Sequence, residues 1–315
     1  MLAPRHAAAI ADQFALGRPE SLEGPVARGE QGQIWLLVTS SGRWAVREPF
    51  EPQSEEEVRE DADFQAAAHA AGVPTPTAMR TLAGDVIAAV ADTQVRVYEW
   101  VDLRDPDTGL DPAAVGAMLA RLHTVEFTGT RGEDPWYTDA VGGARWDELA
   151  EALTAAGAPF AGGLAALRDE LVALEGLIEP TQVLRPCHRD LWADNLRSTA
   201  TGELCVIDWD NCGAADPSHE LANALFEFAG LDAARARTLH RAYVAAGGPG
   251  RVTGCGSFSM AIAQLGHITE ISCVDWLDPA ASQADREHSA ERVAECVERP
   301  LTRAMIDLLV EAVAG

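Results

Sequence analysis

Three side chains able to do acid–base and metal chemistry stand close together in one stretch of the chain. In Cys187-His188-Arg189-Asp190-Leu191-Trp192-Ala193-Asp194-Asn195-Leu196, a carboxylate and a carboxamide lie five residues apart, with a histidine two residues before the carboxylate. A strand-like run, Leu204-Cys205-Val206-Ile207, follows and ends in Asp208. Transfer of a phosphoryl group to a hydroxyl needs a carboxylate to orient the alcohol and accept its proton. It also needs oxygen ligands for a Mg²⁺ that bridges the phosphates. A loop holding the base and one ligand, then a strand ending in a second ligand, supplies all three. Taken singly, each residue reads equally well as part of a capped turn or as a solvated acid. The joint spacing is what points to chemistry.

Around this stretch the patterning divides the chain in two. Ala7 to Leu16 reads as a short Ala-rich helix. Val26, Ile34-Trp35-Leu36-Leu37-Val38 and Trp44-Ala45-Val46 are strand-like, punctuated by the turn Ser40-Ser41-Gly42. Glu55 to Ala71 predicts a helix stopped by Gly72 and Pro74, and 85–90 and 94–101 predict two further strands. From Asp111-Pro112, an N-cap followed by a proline at the first helical position, the period becomes helical. Val115, Met118, Leu119 and Leu122 form its first stripe. Helices are predicted over 146–156, 163–177, 219–229, 232–246 and 258–276, and over 282–313 with a break at Pro300. The segment 128–144, with two glycine-rich bends, predicts a long loop.

Composition narrows the class. Of 315 residues, 47% are hydrophobic and 23% charged, enough for a sizeable core and inconsistent with wholesale disorder. The chain carries 24 basic against 49 acidic residues, a formal net charge of −25. Affinity for nucleic acid rests on clustered positive charge, so no nucleic-acid partner is expected. A cationic substrate would be drawn in by such a field, although net charge alone also fits a solubilising surface. All 24 basic residues are arginine. A Walker A loop and a Schiff-base lysine are therefore excluded, and chemistry that ordinarily uses lysine must use arginine. The six cysteines, Cys187, Cys205, Cys212, Cys255, Cys273 and Cys296, form no C-x-x-C pair and predict reduced, partly buried thiols. No apolar run is long enough to span a bilayer, so a cytoplasmic protein with no membrane partner is expected.

His188-Arg189-Asp190 to Asn195, with Ile207-Asp208-Trp209-Asp210 and Asp216-Pro217 downstream, resembles the aminoglycoside phosphotransferase and choline kinase-like family, over about Val26 to Ala222. The resemblance implies an α+β, two-lobed protein kinase-like fold. Residues 1–101 would form a small, mostly antiparallel β N-lobe with one main helix that binds nucleotide. Residues 102–315 would form a larger, mainly helical lobe for catalysis and the acceptor. Carried over by matching motif, Asp190 is the base and Asn195 and Asp208 hold Mg²⁺. His188 would brace the loop, since its neighbours lack the spacing of a metal site.

Upstream, Ala27-Arg28-Gly29-Glu30-Gln31-Gly32-Gln33 resembles the family's phosphate-covering loop, in which Gly29 and Gly32 would let backbone N–H groups approach the phosphates of ATP or GTP. By itself the same segment reads as a hairpin turn. Trp44-Ala45-Val46-Arg47 falls where protein kinases have a strand ending in lysine, so Arg47 would grip phosphate oxygens. Its expected partner is a helix acid, Glu60, with Phe64 and Ala67 continuing the inner face and Glu56, Glu57 and Asp61 as competitors. Val97-Tyr98-Glu99-Trp100-Val101-Asp102 resembles the strand and hinge of the fold. The Glu99 carbonyl and Val101 amide would then bond the purine edge and Tyr98 would back the pocket; an edge strand reads the same way.

Only seven residues separate Asp208 from Asp216, and Trp192 stands two residues after Asp190, where protein kinases place a lysine. Both departures imply a small-molecule acceptor rather than a peptide. Its pocket would lie in the later helices, where His267, Glu270, Asp275 and Trp276 compete with the reading of an ordinary amphipathic helix. The expected activity is ATP- or GTP-dependent phosphorylation of a hydroxyl on a small cationic acceptor, an aminoglycoside-like antibiotic or an amino alcohol. Homoserine-, ketosamine- and macrolide-type acceptors stay open within the family. The alternative is a catalytically silent nucleotide-binding or scaffold protein of the same fold. The presence of Asp190, Asn195 and Asp208 counts against it, and Arg47 in place of lysine counts for it. The sequence sets no oligomeric state.

Overall fold

The computed structural model describes residues 1–29 and 31–314; Glu30 of the expected phosphate-covering loop lies outside them. A 3-10 turn, Pro4–His6, leads into α1 (Ala7–Gln13), β1 (Pro19–Arg28), β2 (Gly32–Thr39), β3 (Gly42–Pro49), α2 (Glu55–Ala70), β4 (Ala88–Val90) and β5 (Thr93–Glu99). Then come α3 (Pro112–His123), α4 (Pro135–Thr138), α5 (Gly143–Ala156), α6 (Ala161–Glu175), β6 (Arg185–Cys187), β7 (Leu196–Ser198), β8 (Leu204–Val206) and β9 (Gly213–Ala215). The chain ends with α7 (Pro217–Ala229), α8 (Ala233–Ala245), α9 (Ser259–Leu277), α10 (Gln283–Glu298) and α11 (Arg303–Val313). Among the described residues no helix is long and apolar enough to cross a membrane, and all six cysteines are free thiols.

Contacts divide the chain into two units. The first takes in 1–107, 124–130 and 193–212; the second takes in 108–123, 131–192 and the chain from 213 on. A single cut between 101 and 102 does not reproduce this division, because the hairpin β7/β8 belongs with the first unit. Backbone bonds fasten it there: Val206 N–H donates to Pro74 O, Arg104 N–H to Ser198 O and Ala200 N–H to Asp102 O, at 2.8–2.9 Å.

The first unit is built on a five-stranded antiparallel sheet in the order β1-β2-β3-β5-β4. Period-2 alternation sends Leu37, Val46, Val95 and Val97 into a core completed by Ile10, Phe14 and Leu16 of α1 and the turn after it. Arg47 and Arg96, directly opposite each other on β3 and β5, alternate with those core valines and so face the other side of the sheet. On α2, Phe64 packs edge-on against Trp209 at 5.5 Å and, with a tilted ring, against Phe127 at 5.1 Å. Phe64 is thus on the inner face of the helix, as the sequence pattern predicts.

In the second unit, α5, α6, α9 and α10 bury Trp146, Leu149, Leu153, Phe160, Leu164, Cys273 and Val293 in one cluster. Each large side chain removed from water contributes roughly 1.5–3 kcal/mol. The N-caps follow the sequence: Asp216 accepts from Ser218 N–H at the start of α7, and Asp232 from Ala234 and Arg235 N–H at the start of α8. The long loop expected over 128–144 contains a short helix, α4, capped by Asp134 with Pro135 at its first position. The ladder β6/β9 pairs Cys187 with Gly213 and brackets the motif segment at its base.

Candidate functional site

In the first unit, Asn195 and Asp208 meet at one end of the hairpin β7/β8. Asn195 immediately precedes β7, Asp208 lies two residues beyond β8, and Leu196 pairs with Val206. Ile207 N–H then donates to Asn195 O at 2.9 Å, one peptide before Asp208. The joint spacing read from the sequence is therefore the spacing of a short hairpin whose two exits carry the two oxygen donors. Asp208 sits in the left-handed region at φ 57°, an uncommon conformation for a non-glycine residue that costs of order 1–3 kcal/mol and persists where surrounding contacts hold it. The next residue, Trp209, is buried and donates from Nε1 to Thr75 Oγ1 at 2.9 Å.

Arg47 reaches this turn from β3. Its Nη1 lies 2.7 Å from Asp208 Oδ1 and its Nη2 lies 2.8 Å from Asp210 Oδ2. Asp210 is also gripped bidentately by Arg96, whose Nη1 and Nη2 lie 2.7 and 2.6 Å from its two oxygens. Arg96 is only 1% exposed. Burial pushes the Asp210 carboxyl up, but the Arg47 charge and the hydrogen bonds and charge of Arg96 more than offset it, so Asp210 stays below the usual carboxylate range. Burial lowers the Arg47 guanidinium, and the charges of Asp208 and Asp210 overcome this and raise it. Two arginines and two aspartates thus form a charge-balanced quartet that includes the metal-ligand candidate Asp208.

The expected pairing of Arg47 with Glu60 is corrected by this geometry. Glu60 accepts from the Thr130 main-chain N–H at 2.8 Å and from the Thr130 hydroxyl. The physical reason is competition: Asp208 and Asp210 present two carboxylates to the arginine fork, whereas Glu60 is engaged by the 124–130 segment. Arg43, the other basic residue of β3, is tied bidentately to Asp102 at an exposed position.

Gly29 and Gly32 close the turn between β1 and β2, with Gly29 N–H donating to Gly32 O at 2.9 Å. Gly32 is required by packing, since a Cβ there would lie 2.6 Å from Glu48 O; around Gly29 there is open space. At the end of β5, Glu99 N–H donates to Thr77 O and Trp100 N–H to Arg43 O, at 3.0 and 3.1 Å. Among the described residues no acceptor meets the Val101 N–H.

In the second unit, Asp190 Oδ1 accepts from Gln264 Nε2 of α9 at 3.1 Å, and Gln264 Oε1 accepts from Asn223 Nδ2 of α7 at 3.2 Å. The backbone just before Asp190 is clamped by Glu220 of α7, 1% exposed, whose carboxylate accepts from the Arg189 and His188 N–H groups. Arg189 lies in the left-handed region at φ 66°, with its guanidinium over the Tyr137 ring. A Cβ at Gly213 would lie 2.5 Å from Arg189 Cζ, so the glycine leaves room for it. Behind Glu220, His123 Nε2 is 2.7 Å away and His123 Nδ1 lies 2.8 Å from Tyr243 OH. Burial pushes the Glu220 carboxyl up, yet the hydrogen bond and charge of His123 hold it below the usual range. His188 is fully buried.

A family model described as the phosphotransferase enzyme family matches residues 24–255. The chain belongs to this family. Comparison with curated protein sequences gives no significant match. Among solved structures, the chain is similar to a spectinomycin phosphotransferase in complex with ADP and spectinomycin, at 10% identity over 99% of both chains with a TM-score of 0.72. It is also similar to an amicoumacin kinase in complex with AMP-PNP and Ca²⁺, at 15% identity over 93% of this chain and 92% of that one, with a TM-score of 0.63. A choline kinase from Streptococcus pneumoniae follows at 16% identity over 92% and 96%, with a TM-score of 0.56. At these identities the likeness establishes the fold, which is the protein kinase-like one of small-molecule phosphotransferases.

Within this phosphotransferase fold, several residues around the motif were not singled out by sequence reasoning. Glu220, Gln264, His123 and Tyr243 sit on helices where they read as ordinary polar positions, and Arg96 reads as one charge in a strand. The available signal was polarity at a position whose neighbours are all apolar, as with Gln264 between Ala263 and Leu265. The later-helix candidates have these partners within the second unit. His267 stacks on Trp136 at 5.3 Å, Glu270 pairs with Arg145 at 2.7 Å, and Trp276 packs edge-on against Phe160. Asp275 is exposed near the end of α9.

Proposed function

We propose that the chain transfers the γ-phosphoryl group of a nucleoside triphosphate to a hydroxyl of a small cationic acceptor. The observation that supports this most is the meeting of Asn195 and Asp208 at the open end of one hairpin, with Arg47 on Asp208. Their donors are a carboxamide oxygen and a carboxylate, which suit a hard, oxygen-seeking cation such as Mg²⁺. Bound there, the ion would neutralise charge on the β- and γ-phosphates. Arg47 contributes a fixed positive fork toward phosphate oxygens, and the backbone at Gly29 and Gly32 covers them. The Glu99 carbonyl and the Val101 N–H hold the purine edge. Asp190, its Oδ1 already fixed by Gln264, orients the acceptor hydroxyl and takes its proton as the oxygen attacks phosphorus.

Nucleotide as co-substrate is supported by similar structures that hold ADP or AMP-PNP. A cationic acceptor is supported by the net charge of −25 and by similarity to a choline kinase, choline being a cationic alcohol. The test is incubation with MgATP, and in parallel MgGTP, in the presence of a mixed library of amino alcohols, aminoglycosides, ketosamines and macrolides. Mass spectrometry should find a phosphoryl increment on a hydroxyl-bearing cation. A thermal shift with MgATP but no turnover on any acceptor would favour the silent nucleotide-binding reading, for which Arg47 in place of lysine speaks.

A further inference from the structure

We infer that Asp210, locked by Arg96, is the carboxylate that holds Arg47 in register for the nucleotide phosphates. This rests on the phosphotransfer reading above and assigns positioning roles to two residues that the reading itself does not use.

Arg47 and Arg96 are neighbours across the β3/β5 ladder, on the same face of the sheet. Two guanidinium groups so placed repel each other unless an anion lies between them. Asp210 supplies it: its Oδ2 lies 2.8 Å from Arg47 Nη2 and 2.6 Å from Arg96 Nη2. Arg96 spends both of its Nη groups on the two Asp210 oxygens. A buried, planar, bidentate pair of this kind fixes the carboxylate in position as well as neutralising it. Arg47, by contrast, divides its fork between two acids, and these differ in burial. The Asp210 side chain is 8% exposed and the Asp208 side chain 39%.

That difference gives the two halves of the fork different tasks. The Nη2 contact to Asp210 is enclosed and is shared with a second buried arginine, so it anchors the side chain. The Nη1 contact to Asp208 is the more open one and involves the residue proposed as a cation ligand. A divalent cation attracted to Asp208 competes directly with Nη1 for the same oxygen. Nη1 then turns to another anion, and phosphate oxygens are the anions at hand, while Nη2 stays on Asp210. Glu60 is not the anchor in this arrangement, since the fork of Arg47 goes to Asp208 and Asp210 while the Glu60 carboxylate accepts from both polar groups of Thr130. The anchor has moved from the helix to the turn that follows the metal-ligand aspartate.

The decisive variants separate positioning from folding. Asp210→Asn alone leaves two neighbouring arginines without their shared anion, so it can fail through instability. The double variant Asp210→Asn/Arg96→Gln removes one charge of each sign and keeps hydrogen-bonding groups in place. It should regain a thermal midpoint near that of the parent, yet bind MgATP at least about tenfold more weakly by calorimetry, a loss of one decade in affinity. Parent-like MgATP affinity in the folded double variant would overturn the inference. Glu60→Gln should cost affinity far less than the double variant; an equal loss would return the anchor to the helix and equally overturn it. Should neither carboxylate-removing variant fold, Asp210→Glu, which keeps the charge and lengthens its arm, should lower MgATP affinity several-fold at an unchanged thermal midpoint. Parent-like binding there would refute the role. Asp190→Asn serves as the separate check on the underlying reading: it should bind MgATP normally with turnover lowered by about 10²–10⁴-fold, so failure of phosphotransfer and failure of the anchor register in different measurements.

Discussion

Gln264 Nε2 donates to Asp190 Oδ1 across 3.1 Å, and the 2% exposed glutamine is itself held by Asn223. A buried amide that can donate to only one carboxylate oxygen fixes the plane of that carboxylate. Hydrogen bonds to charged groups contribute roughly 1.5–3 kcal/mol. Gln264→Leu should therefore lower kcat by about tenfold or more with little change in MgATP affinity. Unaltered kcat in single-turnover measurements would show that Asp190 needs no such orientation.

Replacing Asp190 itself is the sharper test of chemistry. Asp190→Asn keeps the size and the Gln264 contact but removes the proton acceptor. Turnover should fall by about 10²–10⁴-fold while nucleotide binding persists. Near-native turnover in this variant would mean that the base lies elsewhere.

Glu220 links the motif to stability. Its folded-state value is depressed, so its ionised form contributes stability above its unfolded value of about 4.3, and that contribution is lost as pH falls through the lower folded value. Glu220→Gln should cost about 3–5 kcal/mol near neutral pH, the range for breaking one partner of a buried pair. The deficit should shrink as the pH drops well below about 4, where the parent is protonated too. Denaturant midpoints measured across this range check it; a deficit independent of pH would place the effect in packing rather than charge.

Much of the fold could be read from the sequence wherever one period ran long enough. The helices after Asp111 declared themselves through apolar stripes and, for the first of them, through the cap Asp111-Pro112, and β2 and β3 through runs of Ile, Trp, Leu and Val. The start of β1 was missed because an edge strand exposed along most of its length carries polar residues. Strands β6, β7 and β9 were missed because three residues without an apolar run around them (Arg-Pro-Cys, Leu-Arg-Ser and Gly-Ala-Ala) give no pattern, and only their partners define them. Among the candidate site residues, Asp190, Asn195 and Asp208 stand out in the sequence through spacing along one segment. The partner of Arg47 was not, because it lies 161 residues downstream and nothing local separates Asp208 and Asp210 from the acids crowding α2. Glu220 and Gln264 were hidden for the same reason: their contacts to the motif are tertiary.

Asp208 should separate metal-dependent binding from proton transfer. Asp208→Ala removes a carboxylate proposed to tie the cation to the phosphates, so Mg²⁺-dependent nucleotide affinity should fall along with turnover. Calorimetry with and without Mg²⁺ distinguishes the cases. MgATP affinity equal to that of the parent would show that Asp208 is no ligand and that its ion pair with Arg47 is structural.

The chain has no lysine, so a fixed positive charge at the end of β3 must come from arginine. Arg47 spans two carboxylates with one rigid fork, at 2.7 and 2.8 Å. Arg47→Ala removes the phosphate contact and leaves Asp208 without its cation, while Asp210 keeps the bidentate grip of Arg96. The fold should therefore survive. kcat/KM for the nucleotide should fall by about 10²-fold, the equivalent of one or two charge-assisted hydrogen bonds. Arg47→Lys restores the charge as a single ammonium, which cannot hold Asp210 with one nitrogen while offering another to phosphate. Its activity should lie between those of the parent and the alanine variant, with the loss mainly in nucleotide affinity. Full activity in Arg47→Lys would show that charge alone suffices and that the fork geometry is incidental. Full activity in Arg47→Ala would remove Arg47 from the nucleotide site and leave its two ion pairs as scaffolding for the turn around Trp209.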